Sequence, residues 1–530
     1  MDFADGEEQS SPCMSDFSQA RSFKVMQRIS EELSCAVRER GLLDNMCFGI
    51  QHIFEGEDMG MPNDHGPMSF GHAALDGDEE LIRLLGGEQG GQPNKSEIDL
   101  MDAASRGDEK VVRLLLGRDD VDPDMPDCNG QGPLLHASSN GHGEIVKILL
   151  EQDGVNPNSP DIQNMTPLAH AALNGHGEVV KILLERKEVK LDILGGWGAT
   201  PLALAASSGN REIVKILLEL DRVNPNRPDN FSRTPLSRAA SNGHGEVVKM
   251  LLEIDEVTPD QPDCGGRTPL SFAASSGHQE IVKTLLEQDG VNPDRPDVDN
   301  QTPLSHAALN GHEEVVKILL SLGEVNPDEP DINGQTPLSL AASKGHREVV
   351  KMLLKRDGVS PDQPDYDGRT PLWLAASSGH REMVRTLLEQ DGVNPDRPDL
   401  NNETPLSRAA LNGHGEVVEF LLSLGEVNPD EPNINGRTPL SLAASRGHRE
   451  VVKMLLKRDG VSPDQPDYDG RTPLSHATGS GDEEVVKVLL ELDVVNPDQP
   501  DTNGLTPYSF AAMMGHAGVA ALLRLHEPGV

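Results

Sequence analysis

Ten histidines stand at one register of the chain, each directly after a glycine: His142, His176, His244, His278, His312, His346, His380, His414, His448 and His516. Imidazole is both a metal ligand and a general base. A metal centre would need several of these rings converging on one point. Their separations are 34 residues or twice that, which spreads them one per structural unit. Stacked helices lie about 8–10 Å apart, too far for shared coordination. The expectation is a turn role for each ring. The 87 acidic residues fall largely in loops that provide no dry pocket to raise a carboxyl pKa. The run Gly86-Gly87-Glu88-Gln89-Gly90-Gly91 lacks the lysine and the preceding strand of a phosphate loop, and reads as a linker. Neither G-x-x-x-x-G-K-[ST], G-x-S-x-G nor H-E-x-x-H occurs. The expectation is therefore no catalytic site, no metal and no cofactor.

The elements that hold these residues repeat. Thr-Pro-Leu begins at Thr166, Thr200, Thr234, Thr268, Thr302, Thr336, Thr370, Thr404, Thr438 and Thr472, always 34 residues apart, with Gly132-Pro133-Leu134 and Thr506-Pro507-Tyr508 as altered outer copies. In the copy at Thr302 the hydroxyl can cap a helix start, and Pro303 suits the first helical position. Leu304, Ala307 and Ala308 share one face. Gly311 ends the helix, where the left-handed region is easiest for a residue without Cβ. Glu313 and Glu314 open a second helix at its positive end. Val315, Val316, Leu319 and Leu320 form its apolar face. Two prolines, Pro327 and Pro330, then exclude helix from the connecting finger.

These residues resemble the ankyrin repeat in order: T-P-L, A-A, G-H, E-V-V-K-x-L-L and V-N. The resemblance covers about three-quarters of the chain. It implies an all-α ankyrin repeat solenoid of stacked helix-turn-helix units with finger loops, holding twelve regular repeats and about two degenerate ones. Two departures stand out. The family's His after T-P-L is Ser or Ala here (Ser237, Ser305, Ala169), and the period exceeds the usual ~33 residues, the extra length falling in the finger. The expected organisation is an N-terminal segment with one amphipathic helix and a linker over 1–68, two degenerate repeats over 69–131 and twelve repeats over 132–530.

The formal net charge is −41. It is built into the repeats, since residues 291–324 hold six acids and two bases. That disfavours nucleic-acid backbones and anionic membranes. Two readings remain: a solubilising surface, or attraction for a basic partner. Five cysteines without C-x-x-C spacing point to a reducing compartment, cytoplasm or nucleus. Residues 1–11 have no apolar run, so secretion is not expected. Residues 321–372 and 423–474 differ at three positions (Asp331 against Asn433, Gln335 against Arg437, Lys344 against Arg446), which marks a duplicated block of three repeats.

The position two past each Leu varies while the core positions do not. Reading along the array, it includes Arg238, Phe272, His306, Leu340, Leu374, Arg408, Leu442 and His476, with Trp373 beside it. It points about 200° away from the Leu/Ala face, and the resemblance implies that this side lines a concave groove. These residues are candidate partner contacts, of types favoured at binding hot spots, and Trp373→Ala is expected to weaken binding with little effect on folding. Trp197, Tyr366 and Tyr468 are candidate contacts on finger tips. The function expected is a monomeric, non-enzymatic scaffold for an unidentified protein partner. The alternative is an adaptor whose residues 1–68 engage an effector while the array selects a target.

Overall fold

The computed structural model describes residues 95–525. These residues belong to one compact unit, and the expectations placed on the first 94 (the N-terminal helix, the linkers, most of the first degenerate repeat) lie outside them. Thirteen helix pairs run in order, and no strand is present among the described residues. The first pair, Lys95–Arg106 with Glu109–Leu116, is the second degenerate repeat; twelve regular pairs follow, from Pro133–Ser139 with Gly143–Leu150 to Pro507–Met514 with Ala517–Arg524.

Each pair forms for the reasons its sequence contains. In the copy at Thr302, the Thr302 Oγ1 accepts the amide of Ser305, and Pro303 occupies the first helical position. Where the family has His, Ser305 adds a second contact, its Oγ lying 3.1 Å from the threonine hydroxyl. The second helix starts without a side-chain cap, but Glu313 and Glu314 place charge in its first turn. Leu304, Ala307, Ala308, Val316 and Leu319 are fully buried, each large side chain contributing about 1.5–3 kcal/mol. The small alanines let each first helix lie against that of the next repeat. The core so formed runs unbroken from Leu100 to Leu523. Stability is then a sum of units and nearest-neighbour interfaces.

Candidate interaction surface on the finger loops

The turn end of each repeat is a lock. All ten histidines place Nε2 within 2.9–3.3 Å of a backbone carbonyl of the preceding repeat, as His142 to Ser105, His346 to Leu309 and His516 to Gly479. With Nε2 as donor, each ring closes one joint of the stack. Burial pushes the His278 and His380 imidazoles below their ordinary value. Where Asn210 replaces histidine, its Nδ2 donates to Ala172 O at 2.9 Å. Among the described residues, no group of His, Cys, Asp and Glu is placed to hold a metal ion.

The finger end is built on an aspartate. Asp297 Oδ1 accepts the amides of Asp299 (3.0 Å) and Gln301 (2.8 Å), fixing a tight turn ahead of Thr302. Asp127, Asp161, Asp229, Asp263, Asp331, Asp365, Asp399, Asp467 and Asp501 do the same, and Asn433 substitutes for one of them. The residue after it sends its amide to the preceding finger: Ile332 to Asp299 O (2.8 Å), Tyr366 to Asn333 O (3.0 Å), Leu400 to Asp367 O (2.8 Å), Ile434 to Asn401 O (2.8 Å), Tyr468 to Asn435 O (3.1 Å). One backbone bond per finger therefore holds these tips in register.

The variable row does not line an open groove. Phe272, His306, Leu340, Trp373, Leu374 and Leu442 are buried, and Arg238, Arg408 and His476 are partly covered. The expectation of accessible side chains along this row is corrected by the fold. The repeat's own finger, nine residues upstream, folds over this face of the helix. His306 Nε2 lies 2.9 Å from Asp297 Oδ2, His476 Nε2 2.8 Å from Asp467 Oδ2, and Arg238 Nη2 2.6 Å from Asp229 Oδ2. At Asp297 and Asp467 burial is the strongest single influence and opposes the charge. The imidazole and backbone donors together still hold both carboxyls below the usual range. Trp373 is 4% exposed; its Nε1 donates to Glu403 O at 2.8 Å, and the Arg408 guanidinium lies 5.2 Å from its ring centre. Arg408 also bonds Glu403 Oε2 at 3.0 Å.

The finger tips behave otherwise. Trp197, Tyr366 and Tyr468 are 74%, 71% and 74% exposed. Trp197 sits in an altered finger, a short turn over Gly196–Gly198, with its ring 6.1 Å from that of Phe231 on the next finger. The tyrosines belong to a longer column. Val298, Ile332, Tyr366, Leu400, Ile434 and Tyr468, one per finger on six successive fingers, are all 58–74% exposed. Exposed Cys264 precedes them at the same register. Four of these tips are aliphatic and escape a search for aromatic hot-spot types; their signal is the constant 34-residue spacing from Cys264 onward. Acidic side chains, among them Asp299, Asp367 and Asp469, stand exposed beside the column.

Stacked helix pairs, joints closed between neighbours only, and side chains offered outward from the connecting loops define a repeat solenoid of the interaction type. Comparison with families of known proteins specifies which. The model for ankyrin repeats (3 copies) matches residues 100–194, 187–263, 255–331, 321–399, 392–467 and 459–529. The chain belongs to the ankyrin repeat family, whose repeats generally mediate protein–protein interactions. No curated protein matches the chain. No helix among the described residues is long and apolar enough to cross a membrane.

Proposed function

We propose that this chain is a non-enzymatic scaffold that binds a protein partner along its finger tips. The observation that carries the proposal is the column from Val298 to Tyr468. Single exposed apolar residues are ordinary on any surface. Six at one register, on successive fingers tied to each other through the backbone, form a continuous apolar line. Acidic side chains beside it, on a chain of net charge −41, favour a partner with a basic surface. The partly covered Arg408 and His476 support this surface by holding the fingers of Leu400 and Tyr468, and Arg238 does the same for the earlier finger at Asp229. The molecule works as a monomer, in the cytoplasm or nucleus.

The test is a variant in which Val298, Ile332, Tyr366, Leu400, Ile434 and Tyr468 are all changed to Ser. Cross-linked partners are recovered with the native chain and with the variant, at low and high salt. The native chain is expected to retain partners that the variant loses and that high salt weakens. Identical recovery with both folded chains refutes a finger-tip surface.

A further inference from the structure

The duplicated block has a structural consequence beyond its origin. Residues 321–372 comprise a finger, a helix pair and a second finger, and residues 423–474 comprise the same set. The two tips of the first, Ile332 and Tyr366, are 58% and 71% exposed; those of the second, Ile434 and Tyr468, are 58% and 74% exposed. Each tyrosine is seated alike. A side chain on Gly334 would approach Tyr366 Cδ1 to 2.8 Å, and one on Gly436 would approach Tyr468 Cδ1 to 2.7 Å. Both glycines hold a left-handed φ, +82° and +79°. Each ring thus lies against the bare backbone of the preceding finger and keeps its outer side in solvent. An exposed acid follows each ring, Asp367 and Asp469, paired with Arg369 and Arg471.

Of the three differences between the blocks, Asp331 against Asn433 is buried on both sides, and Lys344 against Arg446 keeps its charge at the opposite, turn end. Gln335 against Arg437 lies at the base of a finger, both partly buried. Arg437 reaches Asp467 at 3.4 Å, much as Gln335 reaches Asp365 at 3.3 Å. None of the three alters a tip. The intervening finger carries Leu400 instead and belongs to neither block.

We infer that the array carries two equivalent docking sites, Ile332–Tyr366 and Ile434–Tyr468, and takes a partner that presents the same segment twice, as a dimer or a tandem. This rests on the finger-tip reading above. The segment that fits is extended and basic. Successive tips are about one helix spacing apart, ~8–10 Å, and a chain extended as polyproline II, with three residues per turn, advances ~9 Å in three residues and returns to the same face. An apolar residue at every third position therefore meets successive tips, and Lys or Arg between them meets the acids. The two sites are three repeats apart, roughly 25–30 Å.

The probe is a six-residue peptide, ~19 Å long when extended as polyproline II, with two Leu three residues apart and Lys elsewhere, alone and as two copies joined by a Gly/Ser linker of about 25 residues, whose mean reach is ~28 Å. A peptide with Glu in place of Lys is the control. Titration calorimetry with the full chain is expected to give two sites for the single peptide, one site for Tyr366→Ala or Tyr468→Ala, none for the double variant, and none for the control. The tandem is expected to bind roughly 100-fold tighter than the single peptide and to lose that gain in either single variant. Melting curves establish that the variants are folded. A stoichiometry of one, or a tandem no tighter than the single peptide, overturns the paired-site inference and leaves the finger-tip surface standing. Failure of the peptide to bind, or binding unchanged in the double variant, overturns both.

Discussion

The two ends of every repeat solve different problems. At the turn end, a histidine reaches a carbonyl of the preceding repeat, and the solution is copied with little change. Two described joints depart from it: Asn210 donates from its side-chain amide instead, and Asp482, a carboxylate, caps its own helix through Val485 N at 2.8 Å. At the finger end the tips change residue type from copy to copy, while a backbone bond and side-chain links such as Asn300 to Pro330 O and Gln335 to Asp365 join each finger to the next. A surface with a purely mechanical task has one good answer and repeats it. A surface that meets a partner is free to vary in what it offers while its scaffold stays fixed. The difference teaches where to look for function in such an array: among the positions that vary and are exposed, not among those that vary and are covered.

The largest expected effect tests that distinction. Trp373 varies from its neighbours but is covered, hydrogen-bonded to Glu403 O and stacked by Arg408. Trp373→Ala should cost about 3–5 kcal/mol, as loss of a buried aromatic does, and should leave peptide binding at the tips unaltered in the folded fraction. Chemical denaturation checks the first part. An unchanged denaturation midpoint would return Trp373 to the accessible surface and erase the contrast.

Gly345→Val strikes the other end. Gly345 has φ +80°, and a Cβ there would stand 2.8 Å from His380 Nδ1. The valine is strained in this conformation, by about 1–2 kcal/mol. It also displaces the ring that closes the joint to Ser343 O, costing about 1–3 kcal/mol more. A loss of roughly 3 kcal/mol by denaturant titration is expected. A fully cooperative, unshifted transition would show that the turn end is not a lock.

Much of this was legible in the residues themselves. Thr-Pro-Leu, the paired alanines and the Val-Val-Lys helices carry their own caps and apolar faces, so the helix pairs follow from local rules. The histidines could be read as turn residues, but their acceptors, 37 residues back, belong to the stacking. The row from Arg238 to His476 was misplaced for a related reason. Helical periodicity says which way Phe272 and Leu340 point, but not that a loop nine residues upstream returns to cover them. The tip column was half visible through Tyr366 and Tyr468. Val298, Ile332, Leu400 and Ile434 carry no chemical flag, and only their register sets them apart.

The smallest expected effect separates two aspartate registers of the fingers, represented by Asp328 and, on the preceding finger, Asp297. Asp260, Asp294, Asp328, Asp362, Asp396, Asp430 and Asp464 recur at one register, each with a buried Oδ1 that makes no hydrogen bond. In Asp328 the other oxygen accepts the amide of Ser360 at 3.2 Å. Asn158 shows what that register prefers: its Oδ1 accepts Lys190 N at 2.8 Å, and its Nδ2 donates to Glu188 O at 2.9 Å. Burial raises the carboxyl of Asp328 above its ordinary value, against the pull of Ser360 N. A raised native pKa means that the native state takes up the proton before the unfolded chain does. The charged form is thus the less stabilising one, and this group's contribution improves as pH falls through its native pKa. Asp328→Asn should therefore stabilise the array at pH 7 by about 0.5–1.5 kcal/mol, the worth of one added hydrogen bond, with the gain shrinking towards the carboxylate range. Asp297 behaves with the opposite sign. Its carboxyl is held down by His306 and backbone amides, so its stabilisation is present at neutral pH and is lost as pH falls through its lowered native pKa. Asp297→Asn should destabilise at pH 7. Denaturation midpoints followed from pH 7 downward should show the Asp328 variant's gain shrinking as the ordinary carboxylate range is approached, and the Asp297 variant's deficit closing only below that range, so that the two approach the parent from opposite sides. Shifts of the same sign would mean that the two aspartate registers are interchangeable, and that the tips are held by something other than the Asp297 turn.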